Sequence, residues 1–310
     1  MNRISEYTNY PTTPTWLNLD DALFRIRRPS LREKVLYSVR LLQRAEPMAL
    51  RLDPEDGFYL AFSGGKDSQC LYHVAQLAGV RFRAHMSLTS VDPPEVIRFV
   101  KRCYPDVELI KPKMSIYEMA KKKHLLPTMR FRWCCAEFKE TSGVGKVTLI
   151  GIRREESVRR SKREEVSAKI KSKRTEESFD QWSEHEEKMV ACVGGKDKII
   201  ISPILHWAER DVWDFLNSIA IPHCCLYDQG YNRIGCICCP MSSYKQKLRE
   251  LERWPHVKRN WLKTIKWLKE SGYNPHPEES DETNFRWWIS GKSFKKFYAD
   301  EFLQQKIDFK

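Results

Sequence analysis

Residues 58–68 of this chain read FYLAFSGGKDS, and this stretch decides the fold. The apolar run Phe58–Phe62 predicts a short buried strand, and a helix is predicted from Asp67 through Leu77. Two adjacent glycines between them permit positive φ and let backbone N–H groups approach an anion closely. The helix N-terminus adds partial positive charge at the same point. The sequence therefore predicts a phosphate-binding loop made of Ser63, Gly64, Gly65, Lys66, Asp67 and Ser68.

The polar side chains of this loop suit a bound phosphate. Ser63 and Ser68 offer hydroxyl donors, and Lys66 can neutralise phosphate charge. Asp67 fits either a magnesium ligand or the N-cap of the helix. The spacing differs from that of a Walker loop, which has four residues between its first glycine and its Gly-Lys pair.

Further strands alternate with helices along the chain. Strands are predicted at 81–88, 107–110, 147–150 and 199–201, and a helix is predicted after Pro93-Pro94. This alternation predicts an α/β fold, a parallel twisted sheet with helices on both faces, plus helical segments at the N- and C-terminal ends. The expected domains are an N-terminal helical segment (1–50), a nucleotide-binding domain with a cysteine cluster (51–245) and a basic, aromatic helical region (246–310).

The 310 residues carry a formal net charge of +13. Such a field attracts nucleotides and polyanions. No stretch reaches the roughly 18 apolar residues that a spanning helix requires, and the N-terminus lacks the apolar run of a secretory signal. We expect a cytoplasmic protein with no membrane partner.

Two regions differ from the rest in composition. Residues 153–196 are dominated by charge, which predicts a surface excursion that is mobile unless a substrate orders it. From about residue 245 the chain is basic and aromatic. Its tryptophans either pack in a helical hairpin or form a surface that stacks on unpaired bases. They are Trp254, Trp261, Trp267, Trp287 and Trp288.

Ten cysteines in a protein expected in the cytosol favour metal ligation or catalysis over disulfides. Cys70, Cys103 and Cys192 are isolated and are expected to be ordinary buried residues. Thiolates at the spacing of the others suit an iron–sulfur cluster or zinc, because two ligands come from each of two turns. The clustered cysteines are Cys134, Cys135, Cys224, Cys225, Cys236, Cys238 and Cys239.

The loop resembles the pyrophosphate loop of N-type ATP pyrophosphatases, and later motifs narrow the resemblance. Residues 151–157 read GIRREES, and residues 226–236 read LYDQGYNRIGC; Pro203-Ile204 and the tryptophans Trp207 and Trp213 lie between them. Over about residues 55–245 the pattern resembles the phosphoadenosine phosphosulfate reductase family of the adenine nucleotide α-hydrolase superfamily. The resemblance implies that Arg153 contacts the nucleotide phosphates or sulfate. The other residues that it places at the nucleotide are Gly151, Glu156 and Ser157.

The cysteines resemble the [4Fe-4S] site of assimilatory adenylyl-sulfate reductases and of the ATP pyrophosphatase of DNA phosphorothioation. The resemblance implies cluster ligands at Cys134, Cys135, Cys236 and Cys239, with zinc as the alternative metal. Cys238 is a competing ligand, and Cys224 or Cys225 could substitute. Lys139 is expected to offset the charge of the thiolates.

Reductases of this family carry a nucleophilic cysteine in a C-terminal tail, whereas no cysteine follows Cys239 in this sequence. We therefore expect an ATP pyrophosphatase that binds ATP and Mg²⁺ and adenylates a substrate, with Lys66, Asp67 and Arg153 as catalytic residues. The expected chemistry is sulfur transfer to DNA or RNA, with a sulfur-donor protein such as a cysteine desulfurase.

Two alternatives stay open. One is a sulfonucleotide reductase that releases sulfite from adenylyl sulfate or its 3′-phosphorylated form. Cys224, Cys225 or Cys238 would then act as the nucleophile. The other is a non-catalytic nucleotide-sensing module.

Overall fold

The computed structural model describes residues 18–170, 173–178, 181 and 197–300. These residues form two compact units that interleave along the chain. The first takes its residues from 18–87, 94–110 and 141–234, and the second from 88–93, 111–140 and 235–300. The linear domain division given above stays a prediction.

The first unit is built on a seven-stranded sheet with the order β3-β2-β1-β4-β7-β5-β6. The strands are β1 (Phe58–Ala61), β2 (Phe82–Ser87), β3 (Glu108–Ile110), β4 (Val147–Ile150), β5 (Val166–Ile170), β6 (Lys173–Glu177) and β7 (Lys198–Ile201). Strands β3, β2, β1, β4 and β7 run parallel. The prediction of a mostly parallel sheet with helices around it is confirmed.

Helices connect and flank these strands. They are α1 (Leu19–Arg25), α2 (Pro29–Leu52), α3 (Lys66–Ala78), α4 (Pro94–Cys103), α5 (Ile116–Lys123), α6 (Trp133–Cys135), α7 (Val158–Ser161), α8 (Glu209–Ser218), α9 (Tyr244–Arg253), α10 (Pro255–Glu270) and α11 (Asp281–Ser290). A π-helical turn, Ala136–Glu140, follows α6, and a 3₁₀ turn, Arg154–Glu156, precedes α7. No helix of the described chain is both long and apolar enough to span a bilayer.

The sheet order places the phosphate loop. From β1 the chain moves to β2 and β3 on one side, whereas β4 pairs with β1 on the other side. In open α/β sheets, ligands bind at the carboxyl ends of the strands where the order reverses in this way. Residues 62–65 follow β1 there, and residues 151–153 follow β4.

The prediction of a mobile surface excursion over residues 153–196 is wrong for two segments. β5 pairs antiparallel with β7, and β6 pairs antiparallel with β5, so both extend the sheet. Val166 and Ala168 are buried and lie opposite Ile201 and Ile199 of β7. Apolar side chains at alternate positions thus support a strand in spite of the surrounding charge. Residues 171–172, 179–180 and 182–196 lie outside the described part.

Helix α2 buries one apolar face. Val35, Val39 and Leu42 are almost fully buried, as their helical spacing requires. Residues 1–17 of the predicted N-terminal segment lie outside the described residues. Cys70 and Cys103 are buried as expected, whereas Cys192 is not described.

The second unit packs its aromatic residues internally. Trp254, Trp261 and Trp288 are buried, and the rings of Trp261 and Trp288 lie 4.8 Å apart. Tyr117 of α5 meets Trp261 edge-on at 4.9 Å, and the Trp288 indole N–H donates to the Pro127 carbonyl at 2.8 Å. These three tryptophans therefore follow the packing interpretation rather than the base-stacking one.

Candidate functional site

The phosphate loop turns sharply between β1 and α3. Gly64 has φ +72°, and a Cβ at this position would lie 2.8 Å from Val96 Cγ1 and 2.9 Å from Val100 Cγ2. Both the backbone conformation and the space therefore require glycine. Gly65 is the N-cap of α3 and has extended backbone.

Two serines brace the loop from inside. The Ser68 hydroxyl donates to the Gly65 carbonyl at 2.8 Å and accepts from the Ser63 amide at 3.2 Å. The Ser63 hydroxyl lies 3.2 Å from the Ser68 hydroxyl oxygen and accepts a hydrogen bond from the Gly65 amide at 3.4 Å. Asp67 lies in the first turn of α3, so its suggested role as N-cap is wrong; Gly65 takes that position.

Lys66 is a buried cation of this site. Its ammonium lies 3.3 Å from Glu209 Oε1, 3.6 Å from Asp67 Oδ2 and 3.3 Å from the Asn232 carbonyl. Its backbone amide donates to the Tyr227 hydroxyl at 2.9 Å. The carboxylates of Glu209 and Asp67 thus offset the lysine charge.

Arg153 is a second buried cation at this site and is only 4% exposed. Its Nε donates to Asp67 Oδ1 at 2.6 Å, and its Nη1 donates to Glu155 Oε2 at 2.9 Å. Burial alone lowers the pKa of Arg153, but the Asp67 carboxylate outweighs it and raises that pKa. The Glu156 carboxylate accepts from the Arg153 amide at 2.9 Å. The structure therefore brings Arg153 and Asp67 together and orders the turn around them.

Gly151 and Ser157 shape the same edge of the sheet. A Cβ on Gly151 would lie 2.8 Å from the Asp67 carbonyl oxygen, so the end of β4 closely approaches the first turn of α3. The Ser157 side chain accepts from the Arg160 amide and caps α7. Ser157 thus orders the backbone after Arg153.

The second unit gathers four of the predicted metal-ligating cysteines. Cys134 and Cys135 lie on α6, and the Cys134 thiol interacts electrostatically with Cys236 and Cys239. The Lys139 ammonium lies 3.4 Å from Cys236 Sγ. This negative neighbour raises the pKa of Lys139, as expected for a cation that offsets thiolate charge.

The adjacent thiols Cys134 and Cys135 share a hydrogen bond. It raises the pKa of Cys134 and lowers that of Cys135. The Thr89 hydroxyl donates to Cys236 Sγ at 3.3 Å. Within residues 18–170, 173–178, 181 and 197–300, no three His, Cys, Asp or Glu side chains form a group that could hold a metal ion.

The candidate nucleophiles differ in accessibility. Cys224 is 1% exposed and Cys238 3% exposed, whereas Cys225 is half-buried. Burial raises the pKa of Cys224 to about 12, which leaves a neutral, weakly nucleophilic thiol at pH 7.

Comparison with known proteins identifies the family. Residues 57–242 match the phosphoadenosine phosphosulfate reductase domain. The chain belongs to this family. The matched range includes the phosphate loop, Arg153 and all four cysteines of the predicted metal site.

Two curated proteins resemble parts of this chain. An uncharacterized protein of Methanocaldococcus jannaschii is 28% identical over 208 residues, which cover 66% of this chain and 47% of that protein. The adenosine 5′-phosphosulfate reductase of Lysinibacillus sphaericus is 26% identical over 168 residues, 52% of this chain and 62% of that one. The chain thus spans about half the length of the first relative and less than two thirds of the second.

Among solved structures, Candida glabrata FMN adenylyltransferase in complex with FAD and pyrophosphate has a TM-score of 0.45 at 14% identity. The match covers 71% of this chain and 72% of that one.

Several residues that contact Lys66 of the phosphate loop were not predicted from the sequence. Tyr227 and Asn232 lie in the segment 226–236 that carried the resemblance, but their contacts with Lys66 had no separate signal. Glu209 reaches Lys66 from the start of α8, and its amide donates to Glu155 Oε2 at 2.7 Å. A glutamate in a charged segment gives no sequence signal of such a role.

Proposed function

We propose that the first unit binds ATP with its β- and γ-phosphates in the Ser63–Ser68 loop and transfers the adenylyl group to a substrate. The observation that carries this proposal is the loop itself, with left-handed Gly64 beside the buried Lys66 ammonium at a helix N-terminus. Backbone N–H groups, a helix dipole and a desolvated cation together favour two linked phosphoryl groups. The family match supports a nucleotide as the ligand.

In the proposed reaction an acceptor oxygen attacks the α-phosphorus and pyrophosphate leaves. Lys66 would stabilise the charge that develops on the leaving pyrophosphate. Arg153 would hold a phosphate oxygen and is kept in place by Glu155. Asp67 would exchange its contact with Arg153 for Mg²⁺, which would supply further charge neutralisation.

The purpose that we propose for adenylation is sulfur transfer. The terminal sulfur of a persulfide on a donor protein such as a cysteine desulfurase would attack the adenylated acceptor, and AMP would leave with the acceptor oxygen. A thiol reductant would then supply the two electrons that split the resulting disulfide and release the donor cysteine as a thiol. The net charge of +13 supports DNA or RNA as the acceptor. A nucleic-acid acceptor predicts that binding weakens steeply as salt rises.

A [4Fe-4S] cluster in the second unit is part of the proposal. Four thiols are the donor set that such a cluster takes, but the described residues do not form a preassembled metal-binding group, so cluster binding would have to draw the four thiols together. The Cys134 thiol interacts electrostatically with Cys135, Cys236 and Cys239, and the Lys139 ammonium and the Thr89 hydroxyl approach the Cys236 sulfur. Hydrogen bonds and a nearby cation stabilise thiolate ligands. When bound, the cluster would supply sulfur or electron chemistry, with zinc as the alternative metal.

A second candidate is sulfonucleotide reduction, which the named activity of the Lysinibacillus sphaericus relative favours. Cys225 is the half-buried thiol of the 224–225 pair and is the first nucleophile to test. Sulfite release that disappears in Cys225→Ser and persists in Cys103→Ser would support this candidate.

The deciding assay follows AMP and pyrophosphate formation from ATP under anaerobic conditions with Mg²⁺, with and without added DNA or RNA. Lys66→Ala is expected to lose about a hundredfold or more in rate. Lys146→Ala is the matched control, because this lysine pairs with Asp53 outside the loop. Formation of ADP would contradict the proposal, and tight ATP binding without turnover would support a nucleotide-sensing module.

A further inference from the structure

The hydroxyl of Tyr227 lies directly on the phosphate loop. It accepts a hydrogen bond from the Lys66 amide, the first N–H of α3, at 2.9 Å. A Cβ on Gly65 would stand 3.5 Å from the same hydroxyl oxygen. The phenol oxygen therefore sits where the N-terminal amides of a helix face an anion.

Neighbouring groups hold the Tyr227 ring in this position. Trp213 meets it edge-on at 5.0 Å between ring centroids, and the Lys66 ammonium lies 5.7 Å from the ring centroid. Its backbone closes a turn, since the Gly230 amide donates to the Tyr227 carbonyl at 2.9 Å. The orientation of the hydroxyl is thus fixed from two sides.

The proton of this hydroxyl is available for a ligand. The oxygen already accepts from Lys66, and the described residues provide no hydrogen-bond acceptor for the proton. Burial raises the pKa of Tyr227, so the group stays protonated at neutral pH. A phosphate oxygen bound in the loop would accept this proton.

We propose that Tyr227 is a direct ligand of the bound pyrophosphate group, donating its hydroxyl proton to a phosphate oxygen. Its oxygen keeps the hydrogen bond from the Lys66 amide, so one phenol links the loop backbone to the anion. Trp213 acts through Tyr227 as a positioning residue. This inference rests on the proposed function, because it needs phosphate in the loop.

The test measures binding of inorganic pyrophosphate and of ATP with Mg²⁺ by titration calorimetry. Tyr227→Phe removes the hydroxyl and keeps the ring against Trp213. We expect its affinity for both ligands to fall at least about tenfold, as for the loss of a hydrogen bond to a charged group. Tyr72→Phe is the matched control, since the Tyr72 hydroxyl bonds to Asp106 in the same unit.

Each other outcome is decisive. Unchanged affinity in Tyr227→Phe, with wild-type binding intact, would mean that the ring only packs, and the inference would be wrong while the proposed function survives. Tighter binding would mean that the hydroxyl occupies the position of a phosphate oxygen and competes with it, which also overturns the inference. If the wild-type protein binds neither ligand, the proposed function itself fails. A shared loss in Tyr72→Phe would point to general destabilisation and would contradict a specific role for Tyr227.

Discussion

Arg153 Nε and Asp67 Oδ1 lie 2.6 Å apart and join the turn after β4 to the first turn of α3. The arginine is 4% exposed, and it also forms an ion pair with Glu155. Two loops that follow neighbouring parallel strands are thereby fixed to each other. An anion that entered here would meet a cation already held in place.

Replacing Arg153 by Ala should destabilise the fold, because it removes the nearer of the two cations that pair with the Asp67 carboxylate, which is 20% exposed, and leaves only Lys66 at 3.6 Å. The expected loss in the free energy of unfolding is about 3 kcal/mol. Urea unfolding measures it. Arg154→Ala is the control, since Arg154 pairs with Glu164 at side chains that are 34% and 38% exposed and should lose less than about 1 kcal/mol. Equal losses in the two variants would contradict a buried role for Arg153.

Gly64→Ala should disrupt the loop in two ways. The residue has φ +72°, and the new methyl would collide with Val96 and Val100. We expect a loss of at least about 2 kcal/mol in stability and of most ATP affinity. Gly79→Ala separates backbone strain from steric collision. Gly79 has φ +68°, but no atom lies within 4 Å of the position that an added Cβ would take. Thermal unfolding and ATP binding should show a smaller stability loss and unchanged affinity there.

The cysteine group should assemble a cluster when the protein is supplied with iron and sulfide without oxygen. Each of the four substitutions should lower bound iron, bound sulfide and visible absorbance. They are Cys134→Ser, Cys135→Ser, Cys236→Ser and Cys239→Ser. Cys103→Ser should keep all three, because Cys103 is a buried thiol of the first unit and not one of these four cysteines. Zinc bound in place of iron, or full iron content in Cys236→Ser, would overturn the cluster assignment.

Ionisation of Glu165 should make the stability of the protein depend on pH. Burial would raise its pKa, but hydrogen bonds from His206 at 2.5 Å and Tyr37 at 3.0 Å outweigh burial and bring that pKa to about 2, against an ordinary 4.5. Since the folded state has the lower pKa, this stabilisation is present above about pH 4.5 and is lost as pH falls towards 2. Unfolding followed between pH 6 and pH 2 should lose roughly 2 kcal/mol from this group. Glu165→Gln should flatten that part of the profile, and an unchanged profile would refute the assignment.

Much of the first unit could be predicted because its signals are local. The run Phe58–Phe62 and the glycines after it indicate strand, turn and helix without reference to the rest of the chain, and β4 is observed at the predicted residues. β5 and β6 were missed because their strand character depends on pairing, of β5 with β7 and of β6 with β5, which a charged composition conceals.

The site was only partly predictable for a related reason. Gly64 and Lys66 lie in one short motif, whereas Glu209 and Tyr227 reach Lys66 from residues far along the chain. Such contacts are set by tertiary packing, and a single sequence has no signal for them. The cysteine pairs and the role of Lys139 beside them were expected from the sequence, whereas the hydrogen bond that the Thr89 hydroxyl donates to Cys236 was visible only in the fold.

Binding of linked phosphoryl groups by the Ser63–Ser68 loop is the property on which the proposed function depends. Affinities of the wild-type protein for ATP, AMP and inorganic pyrophosphate, measured with Mg²⁺ in one calorimetric series, test it most directly. We predict that pyrophosphate binds and competes with ATP, and that AMP binds at least about a hundredfold more weakly than ATP. Equal affinities for AMP and ATP, with no binding of pyrophosphate, would contradict it.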